Sequence, residues 1–151
     1  MFGYYHLTRA TTGCLHFFES TQVDSDLVAI KRELETMQVN CVYIDASDLL
    51  EGKAALCASI ALAINAEHSP YADSACWLEL LDDMITLSKV LPGLVIVIDN
   101  AGALFHTQSR DVFDLIEVFS MQLHHWFDKA KPCHLCFQMS TTPMVAEVFR
   151  I

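Results

Sequence analysis

Two rhythms of hydrophobic and polar positions alternate along this chain. The first is a short, nearly unbroken apolar run, seen at Cys14–Phe18, Cys41–Ile44, Leu94–Ile98 and Cys133–Phe137. Runs of this length predict strands. Leu94-Val95-Ile96-Val97-Ile98 has no polar position at all, the pattern of a central strand covered on both faces. The second rhythm repeats apolar residues three or four apart, which gathers them on one face of a helix. It predicts helices over about 24–37 (Leu27, Ile30, Leu34, Met37), 53–65 (Leu56, Ile60, Ala63 or Ile64), 74–88 and 111–128. In the third, Trp77, Leu80, Leu81, Met84 and Ser88 form the inward stripe; in the fourth, Phe113, Ile116, Phe119 or Ser120, and Leu123 do. A further turn of helix is expected after Thr142, a good N-cap followed by Pro143 at the first helical position.

Strands alternating with helices predict an α/β fold, a small and mostly parallel sheet of three or four strands packed with helices. Pro92-Gly93 and Ala130-Lys131-Pro132 read as turns leading into strands, not as linkers. With no repeat or low-complexity tract, the expectation is one domain over residues 1–151.

Composition narrows the partners. The formal net charge is −10, which repels phosphate backbones and attracts basic proteins. Direct nucleic-acid binding is therefore not expected. No apolar run approaches the roughly 20 residues of a membrane span, and Met1–Arg9 lacks the apolar core of an export signal. Six cysteines in a core-rich chain without such a signal read as free thiols in a reducing cytoplasm.

The chemical motifs each lack a part. Ser47-Asp48-Leu49-Leu50-Glu51-Gly52-Lys53-Ala54 follows a strand and carries the Gly-Lys of a phosphate-binding loop. Ser47 replaces its first glycine, Ala54 replaces the hydroxyl that would hold magnesium, and Asp48 and Glu51 put negative charge where phosphates would sit. Val95-Ile96-Val97-Ile98-Asp99 resembles a Walker-B strand, and Ser140-Thr141-Thr142-Pro143 resembles a sensor. Cys133-His134-Leu135-Cys136 has chelate spacing, but residues three apart on a strand point to opposite faces. No nucleophile elbow accompanies the seven histidines. The expectation is a protein with no catalytic residue, no cofactor and no metal.

The segment Ala54–Ser88 contains no Lys or Arg but holds Glu67, Asp73, Glu79, Asp82 and Asp83. At helical spacing Glu79, Asp82, Asp83 and Thr86 share a face away from the apolar stripe. Carboxylates so arranged repel one another by some tenths of a kcal/mol per pair. The segment reads either as a solvated acidic face or as a face for a basic partner.

These residues, in this order, resemble the barstar family of intracellular ribonuclease inhibitors over about residues 12–139. The resemblance is to its longer bacterial members, with a strand-helix extension (about 12–38) before the minimal fold (about 39–139). It begins with Val42-Tyr43-Ile44-Asp45, Gly52-Lys53-Ala54-Ala55-Leu56 and the small-residue helix Ala58–Ile64. The signature region follows at Ser69–Met84, where Pro70, Trp77, Leu80 and Asp82 agree with the family pattern, and the strand Leu94–Asp99 and His125-Trp126 come after it. Ser74, Cys76 and Leu78 stand where the family has glycine, asparagine and its first aspartate, and Met121 where it has a contacting glutamate. The resemblance implies an immunity protein or antitoxin that plugs the basic active site of a cognate toxin, most directly a ribonuclease. Asp82 would be the anchor, with Glu79, Asp83, Asp73, Tyr71 and Leu78 around it. Such a protein is expected to be cytoplasmic, and a monomer or weak homo-oligomer. The competing expectation, from the motif remnants, is a non-catalytic NTPase-like module without a phosphate loop, working in a protein assembly.

Overall fold

All four apolar runs become strands: β1 (Leu15–Phe18), β2 (Asn40–Asp45), β3 (Leu94–Asp99) and β4 (Cys133–Gln138). The computed structural model describes residues 10, 15–18, 31–46, 53–64 and 76–138. The strands form one sheet in the order β1-β4-β3-β2, with every neighbouring pair parallel. The expected α/β class with a small parallel sheet is what the chain adopts. Residues 31–36 are helical (α1), followed by α2 (Lys53–Ala63), α3 (Cys76–Val90), α4 (Gly102–Thr107), α5 (Ser109–Gln122) and α6 (His124–Phe127).

Register decides which residues meet the helices. Leu94, Ile96 and Ile98 of β3 stand in a row with Cys133, Leu135 and Phe137 of β4 and with Val42 and Ile44 of β2. Together with Leu56, Ile60, Leu80, Met84, Leu115, Phe119 and Trp126 they form the main core. So α2, α3 and α5 cover one face of the sheet. The opposite face carries Cys41, Tyr43 and Asp45 on β2, Val95, Val97 and Asp99 on β3, His134, Cys136 and Gln138 on β4, and His16 on β1. A right-handed crossover from β1 to the far edge puts α1 on that second face, whereas the later crossovers run back across the first. The buried Leu34 of α1, and the electrostatic reach of Lys31 and Glu35 to Cys41, agree with that placement. Both Leu94–Asp99 and Cys133–Gln138 are buried throughout, so the unbroken apolar reading of β3 holds.

Two helix ends close through the same device. Gln38 (φ 65°) follows α1, its N–H reaching Glu35 O at 3.0 Å while Val39 N reaches Leu34 O at 2.9 Å. Ala130 (φ 54°) follows α6 with the equivalent bonds, Ala130 N to Phe127 O at 2.9 Å and Lys131 N to Trp126 O at 2.9 Å. Both are Schellman caps with a non-glycine residue in the left-handed position. Gly93 sits where three strands begin. Its carbonyl accepts Asn40 N–H at 3.1 Å, and a Cβ there would lie 2.8 Å from Pro132 Cγ.

Two sequence expectations change, and one goes undescribed. The stretch expected as one helix over 111–128 is two helices broken at Leu123, preceded by the short α4. The inward stripe of α5 is Val112, Leu115, Val118, Phe119 and Gln122, so Phe113 turns outward. The predicted turn of helix after Thr142 lies outside the described residues.

Candidate functional site

The helix expected to carry the site, α3, is held from both ends. At its start, the Cys57 thiol of α2 donates to the Cys76 carbonyl at 3.2 Å. At its end, Lys131 Nζ donates to Ser88 O at 2.6 Å and Lys129 Nζ to Ser88 Oγ at 3.3 Å. Glu79 in the first turn and Lys89 in the last complement the helix dipole, and the two outside lysines reinforce its C-terminal end. Between these ends Cys76, Leu80, Asp83, Met84 and Ser88 are buried.

This phase sorts the expected contact residues. Leu78 is 67% exposed and Asp82 is exposed four residues later, one turn apart on the outward side. Glu79 is half-buried beside them. Asp83 is only 1% exposed, so it does not stand on the outward face as its spacing from Asp82 suggested. The buried side of the helix is turned by a fraction of a residue step from the apolar pattern, which keeps Leu80, Met84 and Ser88 inside, brings Asp83 inward beside them and moves Trp77 and Leu81 to the stripe's edges. Asp73 and Tyr71 lie outside the described residues. The acidic face therefore contracts to Asp82 with Glu79 at its flank, continued by Thr86, whose hydroxyl donates to the Asp82 carbonyl at 3.1 Å.

Helix α5 packs along α3 and also shows apolar groups to solvent. Met121 is 55% exposed, Phe113 is exposed, and Glu117 between them is exposed as well. Trp126 locks the far side: its indole N–H donates to Gln122 Oε1 at 2.5 Å, and Gln122 Nε2 donates to Phe119 O at 2.9 Å. Two helices thus present outward residues from rigid, buried bases. Such an arrangement can dock a partner without first being ordered by it.

The motif remnants fall elsewhere. Ser47–Gly52 lies outside the described residues, and it follows β2, an edge strand. In open parallel sheets ligands sit beyond the carboxyl ends of the strands where successive crossovers part to opposite faces, which here is beside β1. Residues 19–30, which follow β1, contain neither glycine nor lysine but hold Glu19, Asp24 and Asp26. That sequence lacks the Gly-Lys pair of a phosphate-binding loop. Asp99, at the end of β3, accepts the Tyr43 hydroxyl on Oδ2 at 2.6 Å and the Asn100 N–H on Oδ1 at 2.8 Å. Asn100 Nδ2 in turn donates to Asp45 Oδ1 at 3.0 Å. Sequence reasoning missed this lattice, although the acid closing each of two apolar strands was a visible signal. Cys133 joins the helix-covered core and Cys136 the other face, as strand geometry requires. Cys41, Cys57, Cys76, Cys133 and Cys136 are buried, and burial pushes the Cys41 thiol up to about 11, with Lys31 opposing and Glu35 adding. Among the described residues no group of three or more His, Cys, Asp and Glu is arranged to hold a metal ion, and no helix is long and apolar enough to cross a membrane.

No protein-family model matches the sequence, and no curated protein matches it. Among solved structures the chain is similar to a chain in a structure of Drosophila ORC bound to DNA, with a TM-score of 0.56 and 13% identity. The match covers 89% of this chain and 33% of that one, so this chain spans about a third of its length. At that identity the likeness is one of fold.

Proposed function

We propose that this chain is a barstar-like cytoplasmic inhibitor, an immunity protein or antitoxin that blocks the basic active site of a cognate toxin, in the first instance a ribonuclease. The observation that carries this reading is the presentation of Asp82 and Leu78 one turn apart on the outward side of α3, a helix pinned at both ends. A carboxylate on a rigid helix enters a cationic pocket at little ordering cost, and an exposed leucine beside it supplies the apolar contact that excludes water. The net charge of −10 steers a basic partner toward it. The place of β1 also supports the reading. It stands at the sheet edge and pairs with β4, which agrees with a strand added beside a smaller unit of β2, β3 and β4.

The test is inhibition of RNA cleavage by a basic bacterial ribonuclease of the kind the barstar family blocks, together with any basic toxin encoded beside the gene. Stoichiometric inhibition of one of them, weakened by Asp82→Ala, is the expected result. Full cleavage by every such enzyme at micromolar inhibitor would remove the reading.

A second reading has an observation of its own. The apolar strand β3 closed by Asp99, as a Walker-B strand would be, favours a non-catalytic NTPase-like module acting in an assembly. The two readings part on nucleotide. A saturable rise in melting temperature with millimolar ATP–Mg would favour the module, because a ligand of the native state stabilises it. An inhibitor with the 19–30 sequence after β1 should melt at the same temperature with and without it.

A further inference from the structure

Two histidines, 118 positions apart in sequence, meet across the outermost strand pair: His16 Nε2 of β1 lies 2.9 Å from His134 Nδ1 of β4, with ring centroids 5.0 Å apart. His134 is 0% exposed and His16 is half-buried. We infer that this pair is a proton-sensitive clasp, which holds β1 on the sheet near neutral pH and releases it in acid.

The argument is a count of protons. A neutral imidazole has one N–H and one lone pair, so two neutral rings form one hydrogen bond in either tautomeric sense. A singly charged pair keeps the bond, since the charged ring donates and the neutral ring accepts. Two charged rings carry N–H on all four nitrogens, whatever the outer nitrogens touch, and the facing atoms become two donors at 2.9 Å. His134 cannot turn to water, because it lies within β4 with β3 on one side and β1 on the other. The strand that carries His16 can move, because β1 is the edge strand and pairs with β4 alone. Relief of the second charge therefore comes by lifting β1.

Among the described residues, the other titratable groups on this face are engaged elsewhere or lie away from the pair. Cys136 stands in register with His16, and Cys41 is held protonated by burial. Tyr43, Asp45 and Asp99 are joined to one another through Asn100 at the carboxyl end of the sheet. Asp99 lies four residues along β3 from Val95, the register partner of His134, about 13 Å away at strand rise. From α1, Lys31 and Glu35 act on Cys41 on the far edge strand, two strands removed from His134. The sign is fixed by the count: released β1 takes up one proton more than the clasped pair, so the clasped form loses stability as pH falls. With an unperturbed histidine near 6.5, opening of β1 should rise about tenfold for each pH unit below about 6.5.

Hydrogen exchange of the full chain at several pH values, corrected for the intrinsic rate, reads this directly. Amides of Leu15–Phe18 should lose protection between pH 7 and pH 5, while those of the β2–β3 ladder keep theirs. His16→Gln places an amide that can donate to or accept from Nδ1 and does not titrate. In that variant β1 should stay protected at both pH values. The inference is overturned if wild-type β1 keeps its protection at pH 5, if the whole sheet opens together with it, or if His16→Gln opens with the wild-type pH profile.

Discussion

Adjacent carboxylates on α3 should behave oppositely when removed, and Asp82→Ala is the sharper half of that comparison. Asp82 is exposed in the middle of the helix, and its carboxylate has no partner among the described residues. Alanine is favoured over aspartate in a helix interior by about 0.6 kcal/mol. Removing the repulsion from Glu79, three residues earlier, adds a few tenths of a kcal/mol. The free protein should therefore gain about 0.5–1 kcal/mol, a rise in melting temperature of roughly 1–4 °C for a domain of this size. In the complex the same change leaves the partner's cations buried and unpaired, costing about 2–5 kcal/mol and appearing mainly in the dissociation rate. That is a loss of roughly 30-fold to several thousand-fold in affinity, a range drawn from charge pairs that include the founding toxin–inhibitor pair of the barstar family. Asp83→Ala should do the reverse. Its side chain is buried, so removal costs about 1–3 kcal/mol of stability while the folded fraction binds as wild type does. Thermal melts and surface-immobilised binding of wild type and both variants to the inhibited toxin provide the readings. Asp82→Ala binding within twofold of wild type would show that α3 is not the anchor, however the stabilities fall.

Other parts of the structure make independent predictions. Gly93→Ala places a methyl 2.8 Å from the Pro132 ring and should destabilise by about 1–3 kcal/mol in urea unfolding, with Pro132→Ala partly restoring it. Ala130→Gly relieves a left-handed alanine at the cap after α6 and should stabilise by about 0.5–1 kcal/mol, measured by the same transition. Cys41 remains a protonated thiol at pH 8, so it should resist thiol reagents in the native protein and react once the chain is unfolded in denaturant.

Much of the fold was legible because strand runs and helix stripes are written in apolar residues. The unbroken Leu94–Ile98 run named the buried central strand, and the Leu56, Ile60, Ile64 spacing named α2 and its inward side. What the pattern could not supply was phase where a polar residue turns inward. Asp83 and Gln122 both occupy buried positions, and each shifted the buried side from the stripe the apolar residues suggested, leaving Phe113 outside. The break at Leu123 has no proline or glycine to mark it. It is made by tighter bonds from Leu123 N to Ser120 O at 3.4 Å and from Trp126 N to Leu123 O at 3.0 Å. Of the site, the outward positions of Asp82 and Leu78 agree with the sequence expectation, and those of Asp73 and Tyr71 lie outside the described residues. The histidine pair was invisible because nothing local links residues in different strands; only the parallel register of β1 with β4 brings them together.

The strand order also sets a timetable for synthesis. As the chain leaves the ribosome, β1 is made first, yet its neighbour in the sheet is β4, and Leu15 must wait for Leu135. Closing that loop spans 135 − 15 = 120 positions, against 133 − 94 = 39 for β3 with β4 and 94 − 40 = 54 for β2 with β3. Loop entropy grows only slowly with length, so the final docking is not much costlier than the others. Its consequence is kinetic. Throughout most of translation an emerged β-prone segment has no native place to go, which is when pairing with another nascent chain is easiest. The histidine within β1 gives that waiting segment a polar position that blunts such pairing until β4 arrives.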